Sequence, residues 1–289
     1  MKVSGFSFIR NAIKLDYPIV EAITSILPIC DEFVIAVGKS EDDTLALIQS
    51  INSPKIKIIE TIWDDNLREG GRVLANETDK AFKYISSDSD WAFYIQGDEV
   101  VHEDYLPLIK KSMEEWKDDL NVEGLLFKYK HFYASYDYVA NSRKWYKNEI
   151  RIIRNFPEMH SYRDAQGFRI GDRKIRVKQI EAYIYHYGWV KHPEFQKQKY
   201  RSFNALYHDD EWIDSKIPDV NEFDYSVIDS LKKFEGSHPQ VIQKRVYQMN
   251  WKLNFNPERE NFSFSSKLLH RIERILGWRI GEYKNYKII

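Results

Sequence analysis

Residues 1–133 alternate between two hydrophobic periods. Five runs that are apolar almost throughout, VSGFSFI (3–9), EFVIAV (32–37), KIKIIE (55–60), WAFYIQ (91–96) and EGLLFKYKHFY (123–133), predict strands. Between them, DYPIVEAITSIL, DDTLALIQSI, GGRVLANETDKAFKYI and EDYLPLIKKSMEEW predict helices, since their apolar residues recur three or four positions apart. Asp16 is the expected N-cap of the first, and Pro107 is tolerated in the first turn of the last. Apolar strands each followed by a helix imply parallel pairing with helices on both faces. Right-handed crossovers make that a doubly wound α/β sheet, whose ligands bind outside the carboxyl ends of the strands.

The pattern changes near Ser142. NEIRIIRNF and DRKIRVKQIEAYIYHYG read as antiparallel or edge strands, PEFQKQKYRSFNALYH as a helix, and residues 209–224 as an irregular acidic stretch. In FEGSHPQVIQKRV, Ser237, His238 and Pro239 read as the lead-in turn and N-cap of another helix, with His238 structural. The expected division is an α/β catalytic domain over 1–192 and a mainly helical extension packed on it over 193–289. In the tail, Leu268, Leu269, Ile272, Ile275 and Leu276 share one helical face, and residues 265–289 carry six basic and two acidic side chains. That helix either packs its apolar face on the domain, the preferred reading, or lies on an anionic membrane surface.

Composition narrows the function classes. The 289 residues carry 43 basic and 44 acidic side chains, which gives no global electrostatic reason to bind nucleic acid. The single cysteine, Cys30, excludes disulfide and cysteine-based zinc frameworks. No stretch approaches the roughly 18 consecutive apolar residues of a membrane span, and the start has no apolar leader segment. The expectation is a cytoplasmic protein, with peripheral contact at the inner face of the membrane through the basic tail. G-x-G-x-x-G, the P-loop, H-E-x-x-H and G-x-S-x-G are all absent, which sets aside the commonest dinucleotide, phosphoryl-transfer, zinc-protease and serine-hydrolase readings.

One stretch calls for chemistry. The apolar run Trp91–Ile95 ends abruptly in Gln96, Gly97, Asp98 and Glu99, at the ligand edge of the expected sheet. Hard divalent cations take oxygen ligands, and Mg²⁺ commonly combines one or two carboxylates with substrate phosphates. Asp98 is the preferred ligand, with Glu99 beside it to orient it or bind sugar. The alternative is a helix start whose acids complement the dipole, to which His102 and Glu103 also belong.

Four segments in this order resemble glycosyltransferase family 2 proteins of the GT-A fold: SFIRN, FVIAVGKSEDDT, GGRVLANETDKAF and WAFYIQGDEVVHEDYL. The resemblance covers residues 1–129, with a weaker echo through Trp189. It departs from the family pattern at Gln96, where the D-x-D-type signature has its first acid, and in the altered second-strand loop. It implies a GT-A-like doubly wound, mostly parallel sheet with a small antiparallel segment. It also implies a divalent metal ion, Mn²⁺ or Mg²⁺, held by Asp98, Glu99 and His186. Nucleotide-sugar contacts fall on Arg10, Asn11, Asp42, Asp43, Arg72, Asn76 and Lys191. Asp43 is slightly preferred to Asp42, and one of that pair is equally well an N-cap. His186 is otherwise a core histidine, and Lys191 otherwise a solvated lysine.

An inverting transfer needs a base for the acceptor hydroxyl. HSYRDAQGFRIG lies where the family's acceptor-side loop is expected, so Asp164 is the first choice and Glu158 the second, either being otherwise a surface Asx-turn. Arg151, Arg154 and Arg163 bind phosphate or discourage edge pairing. The implied reaction moves a sugar from a nucleotide-diphosphate donor to a glycan or lipid-linked saccharide hydroxyl. The alternatives are a nucleotidyltransferase on a related fold, and a carbohydrate-binding or scaffold protein with a degraded site.

Overall fold

The computed structural model describes residues 1–217, 220–276, 279 and 281–289. Strand β1 (Val3–Ile9) leads to helix α1 (Ile19–Ile26), β2 (Glu32–Gly38) to α2 (Thr44–Gln49), and β3 (Ile56–Thr61) to α3 (Arg72–Lys83). Strand β4 (Trp91–Tyr94) reaches α4 (Leu106–Glu115) through a short β5 (Glu99–Val101). There follow β6 (Gly124–Tyr133), β7 (Tyr138–Ala140), β8 (Asn148–Arg154), β9 (Met159–Tyr162), β10 (Gly167–Ile170), β11 (Arg173–Lys174) and the long β12 (Arg176–Trp189). The remainder comprises α5 (Pro193–Asn204), α6 (Asp210–Lys216), β13 (Leu231–Lys233), α7 (Gln243–Tyr247), α8 (Phe264–Leu276) and β14 (Lys287–Ile288).

The large sheet runs β3-β2-β1-β4-β8-β6, with β12 parallel to β6 beyond it. Strands β1 to β4 are mutually parallel, and both pairings of β8 are antiparallel. The α/β sheet expected of a GT-A-like domain is therefore present, mostly parallel and layered with helices. Strands β1, β2 and β4 are apolar almost throughout because both faces are covered, whereas the edge strand β3 keeps Lys57 and Glu60 exposed. Phe33, Ile35 and Val37 face one core with the α1 residues Ile19, Ile23 and Ile26, whereas Val34 and Ala36 face a second core with Ala81 and Phe82 of α3. Each large side chain so buried contributes about 1.5–3 kcal/mol.

Several sequence expectations need correction. NEIRIIRNF is antiparallel, one of the two readings its sequence offered, but not an edge strand: β8 sits between β4 and β6, with Ile150, Ile152 and Ile153 fully buried. Both of its arginines are satisfied inside. Arg154 lies 3.8 Å over the Trp91 ring and donates to the Val122 carbonyl at 3.0 Å, while Arg151 pairs with Glu99. Asp16 does not cap α1; it has φ +49 and accepts from Arg245 at 2.6 Å. The acidic stretch after 209 contains α6, whose N-cap Asp209 accepts from the Trp212 amide at 2.8 Å. Ser237 makes no cap; its Oγ pairs with His102 Nε2 at 3.0 Å, while His238 Nδ1 meets the Tyr187 hydroxyl at 2.8 Å.

The extension is not only helical. β13 pairs with β7 and β14 with β12, so residues beyond 192 add strands to the sheet. Helix α8 docks through a charge rather than its apolar face. Glu273 is buried and takes Arg143 at 3.1 Å, Arg279 at 3.2 Å, and Lys147. Leu268, Leu269 and Ile275 stay exposed, and the Leu276 side chain lies outside the described residues. One carboxylate shared by three cations anchors the helix by that side.

Candidate functional site

The carboxyl edge of β4 answers the question its sequence raised. Asp98 and Glu99 do not begin a helix; α4 starts at Leu106, and His102 accepts the Asp104 amide at 3.2 Å in the turn before it. Instead the chain folds back into β5, which pairs antiparallel with β12 and sets Glu99 opposite His186. Two adjacent carboxylates then find different cations on different sides.

Asp98 is buried, with Oδ2 2.9 Å from Lys199 Nζ and 3.7 Å from His186 Nε2. Burial alone would raise its carboxyl, but Lys199, with His186 and Lys191 behind it, holds it well below the usual carboxylate range. Lys199, from α5, also donates to the Gly188 carbonyl at 2.8 Å and stands 4.9 Å over the Tyr17 ring. Lys191 is fully buried, donates to the Asp16 carbonyl and stands over the same ring. Burial and the nearby Lys199 bring its amine down to about 7. His131 Nε2 lies 2.9 Å from the Tyr146 carbonyl, which can only accept. His131 Nδ1, 3.3 Å from His186 Nδ1, is then the acceptor, and His186 donates to it from Nδ1. Gly188 is required here, since a Cβ would lie 2.6 Å from Asp98 Oδ2 and 2.7 Å from His186 Nε2.

Glu99 is committed elsewhere. Arg151 Nε and Nη2 grip its oxygens at 2.8 and 2.7 Å, the Tyr129 hydroxyl donates at 2.5 Å and the Gln96 amide at 3.1 Å. The structure therefore does not bring Asp98, Glu99 and His186 together as a ligand set. Among the described residues, no group of three His, Cys, Asp or Glu could hold a metal ion. The residues present do not fit a divalent cation: an ammonium already stands against Asp98, and the neighbouring acid is saturated by a guanidinium.

Gln96, in the place of an acid, connects this edge to a second locus. Its Nε2 donates to the Ala165 carbonyl at 3.3 Å, and Asp164 precedes Ala165 in the turn between β9 and β10. Arg163 and Ala165 flank it with φ +56 and +62, strain that non-glycine residues keep where the surroundings impose it. Asp164 Oδ2 accepts from the Tyr207 hydroxyl at 2.6 Å, while Oδ1 is buried without a hydrogen-bond partner in the protein. It lines a cleft of about 450 Å³ with Arg72, Arg163, Gln166 and Tyr207. The close approach of α3 to this turn needs Gly71, at φ +68, because a Cβ there would sit 2.8 Å from Tyr207 Cζ and 2.9 Å from Asp164 Cβ. Glu158 is exposed in the turn just before β9 and is not among the residues lining the cleft.

The other expected donor contacts cluster in the loops after β1 and β2. Asn11 Oδ1 accepts the Glu41 amide at 2.8 Å, and Asp42 receives the Thr44 and Lys14 amides at 3.0 and 2.7 Å. Asp42 thus holds the loop together, and Asp43, at the N-cap position of α2 without a capping bond, is exposed. Arg10 pairs with Asp65 at 2.7 Å and stacks on Trp63. Asn76, on α3, is half-buried away from the cleft lining. Sequence reasoning missed Lys199 and Tyr207. Nothing marks either in PEFQKQKYRSFNALYH, because a helical lysine is ordinarily solvated.

No family model matches the sequence, and no curated protein matches it. Among solved structures, the chain is similar to S. aureus TarS 1–349 in complex with UDP, at 18% identity and TM-score 0.40, the match covering 71% of this chain and 64% of that one. It is similar to 4-diphosphocytidyl-2C-methyl-D-erythritolsynthase from Anaerococcus prevotii, at 12% and 0.38, over 71% and 94% of the two chains. It is also similar to glucosyl-3-phosphoglycerate synthase from Mycobacterium tuberculosis in complex with Mn²⁺, UDP and phosphoglyceric acid, at 17% and 0.29, over 46% and 43%. The match spans just under two thirds of TarS 1–349. At these identities and scores the likeness says nothing of activity. What the chain's own sheet order defines is a GT-A-like α/β domain with its charged residues at the carboxyl edge.

Proposed function

We propose that the protein is a glycosyltransferase that moves a sugar from a nucleotide-diphosphate-sugar donor to a hydroxyl of a glycan or glycolipid, with inversion. The observation that carries this reading is the link between two loci on one sheet edge. Gln96 ties the Asp98 end of β4 to the turn presenting Asp164, whose Oδ1 lacks a partner beside an open cleft. A donor diphosphate would lie toward the lysines near Asp98, and the acceptor in the cleft beside Arg72 and Asp164. Asp164 takes the acceptor proton as that oxygen bonds to the anomeric carbon. The bond from that carbon to the phosphate oxygen breaks, and its electron pair leaves with the diphosphate.

A second reading, a carbohydrate-binding protein retaining the fold without transfer, is favoured by Lys199 standing where a catalytic cation would. A thermal-shift panel of nucleoside diphosphates, followed by product analysis with the matching nucleotide sugar, decides between them. Stabilisation by one diphosphate with its release on turnover supports transfer. Sugar binding without release supports the second reading, and no response to any nucleotide removes the first.

The exposed Leu268, Leu269 and Ile275 of α8, with Lys267 and Arg271 beside them, support peripheral contact with an anionic membrane, as a lipid-linked acceptor would require. No helix among the described residues is long and apolar enough to cross a membrane.

A further inference from the structure

We propose that Lys199 serves as the built-in cation of the donor-phosphate site, so that nucleotide binding and sugar transfer proceed without a divalent metal. The inference rests on the nucleotide-sugar reading above. Three positions that would build a metal site are each otherwise engaged. Gln96 offers an amide in place of an acid and spends its nitrogen on the Ala165 carbonyl. Glu99 is held bidentate by Arg151. Asp98 is matched by the Lys199 ammonium at 2.9 Å.

A metal arriving at Asp98 would have to displace that ammonium, and only the Gly188 carbonyl and the Tyr17 ring would remain to compensate its buried charge. The site is instead already poised for an anion. Lys199 spends two of its three N–H donors on Asp98 and Gly188, and its side chain remains 11% exposed. Lysine is a regular phosphate ligand in the role of a compact point charge. Lys191, over the same Tyr17 ring, adds a second amine, while the Asp16 and Glu21 carboxylates nearby are matched by Arg245. In the transfer step, Lys199 donates a hydrogen bond to the departing diphosphate oxygen and keeps its proton.

The test is calorimetric titration of UDP, GDP, ADP and CDP into the whole chain, in EDTA and in Mn²⁺. One diphosphate is expected to bind with equal affinity in both, and Lys199→Ala to weaken it roughly 10- to 100-fold in both. Electron paramagnetic resonance of Mn²⁺ with that diphosphate needs no variant; adding the unmodified protein should remove no more free-ion signal than the diphosphate alone does. Binding seen only with Mn²⁺, a protein-dependent loss of the free-ion signal, or EDTA affinity untouched in a folded Lys199→Ala would overturn the inference and leave the nucleotide reading standing. No binding of any diphosphate in either condition would overturn both.

Discussion

Arg151 grips both oxygens of Glu99, at 2.8 and 2.7 Å, with neither side chain more than 1% exposed. That fork settles the role of the acid next to Asp98: it is structural, joining β5 to β8 beneath the site. Removing one partner of such a pair strands a buried charge. Arg151→Met should therefore cost about 3–5 kcal/mol in urea unfolding, and adding Glu99→Leu should recover most of it. Equal losses in the single and double variants would mean that the pair does not carry the coupling.

The proposed role of Asp164 as base can be tested directly. Asp164→Asn should lower transfer about 10²- to 10⁴-fold with nucleotide affinity unchanged, whereas Glu158→Gln should leave both intact. Steady-state kinetics beside calorimetry separate the two quantities. A full-rate Asp164→Asn enzyme would move the base elsewhere.

Glu149 should make stability pH-dependent. Burial, with Arg151 opposing and Glu99 reinforcing, raises its carboxyl to about 8, and its Oε2 has no hydrogen-bond partner in the protein. The folded state therefore holds a proton that the unfolded chain releases near its ordinary carboxyl value. The stability this contributes is complete below that value and declines as pH rises through about 8. Melting curves of wild type and Glu149→Gln should coincide near pH 4 and diverge with rising pH, the glutamine variant becoming the more stable. Parallel curves would show that Glu149 is ionised in the fold.

Gly188→Ala should disturb the Asp98 locus directly, since the new methyl would lie 2.6 Å from Asp98 Oδ2. The expected result is a folded protein whose melting temperature no longer rises with the nucleoside diphosphate that stabilises wild type. An unchanged response would place the donor away from Asp98.

Helix α8 should bind vesicles containing anionic lipid and release them as salt rises. Leu268→Glu, at an exposed position, should abolish cosedimentation without lowering the melting temperature. Cosedimentation that survives this change would assign contact to another surface.

The first four strands and α1 to α4 were readable because β1, β2 and β4 are covered on both faces, β3 keeps a run of isoleucines, and the helical period is clean. β8 was readable as a strand, antiparallel or at an edge, but its central place was not, since its arginines imitate an edge strand until Glu99 and Trp91 are seen to receive them. The Asp98 edge and the Asp164 turn were likewise visible as residue types, because strand ends and turns carry chemistry in such sheets. Their partners were not. Lys199 and Tyr207 lie 101 and 43 residues from the carboxylates they meet, a separation that no local pattern encodes.

Those two partners come from neighbouring points of one segment: Lys199 lies within α5, and Tyr207 lies just past its end. A single stretch of chain thus clasps Asp98 at one locus and Asp164 at the other. Any displacement of α5 that freed the first carboxylate would therefore pull at the second.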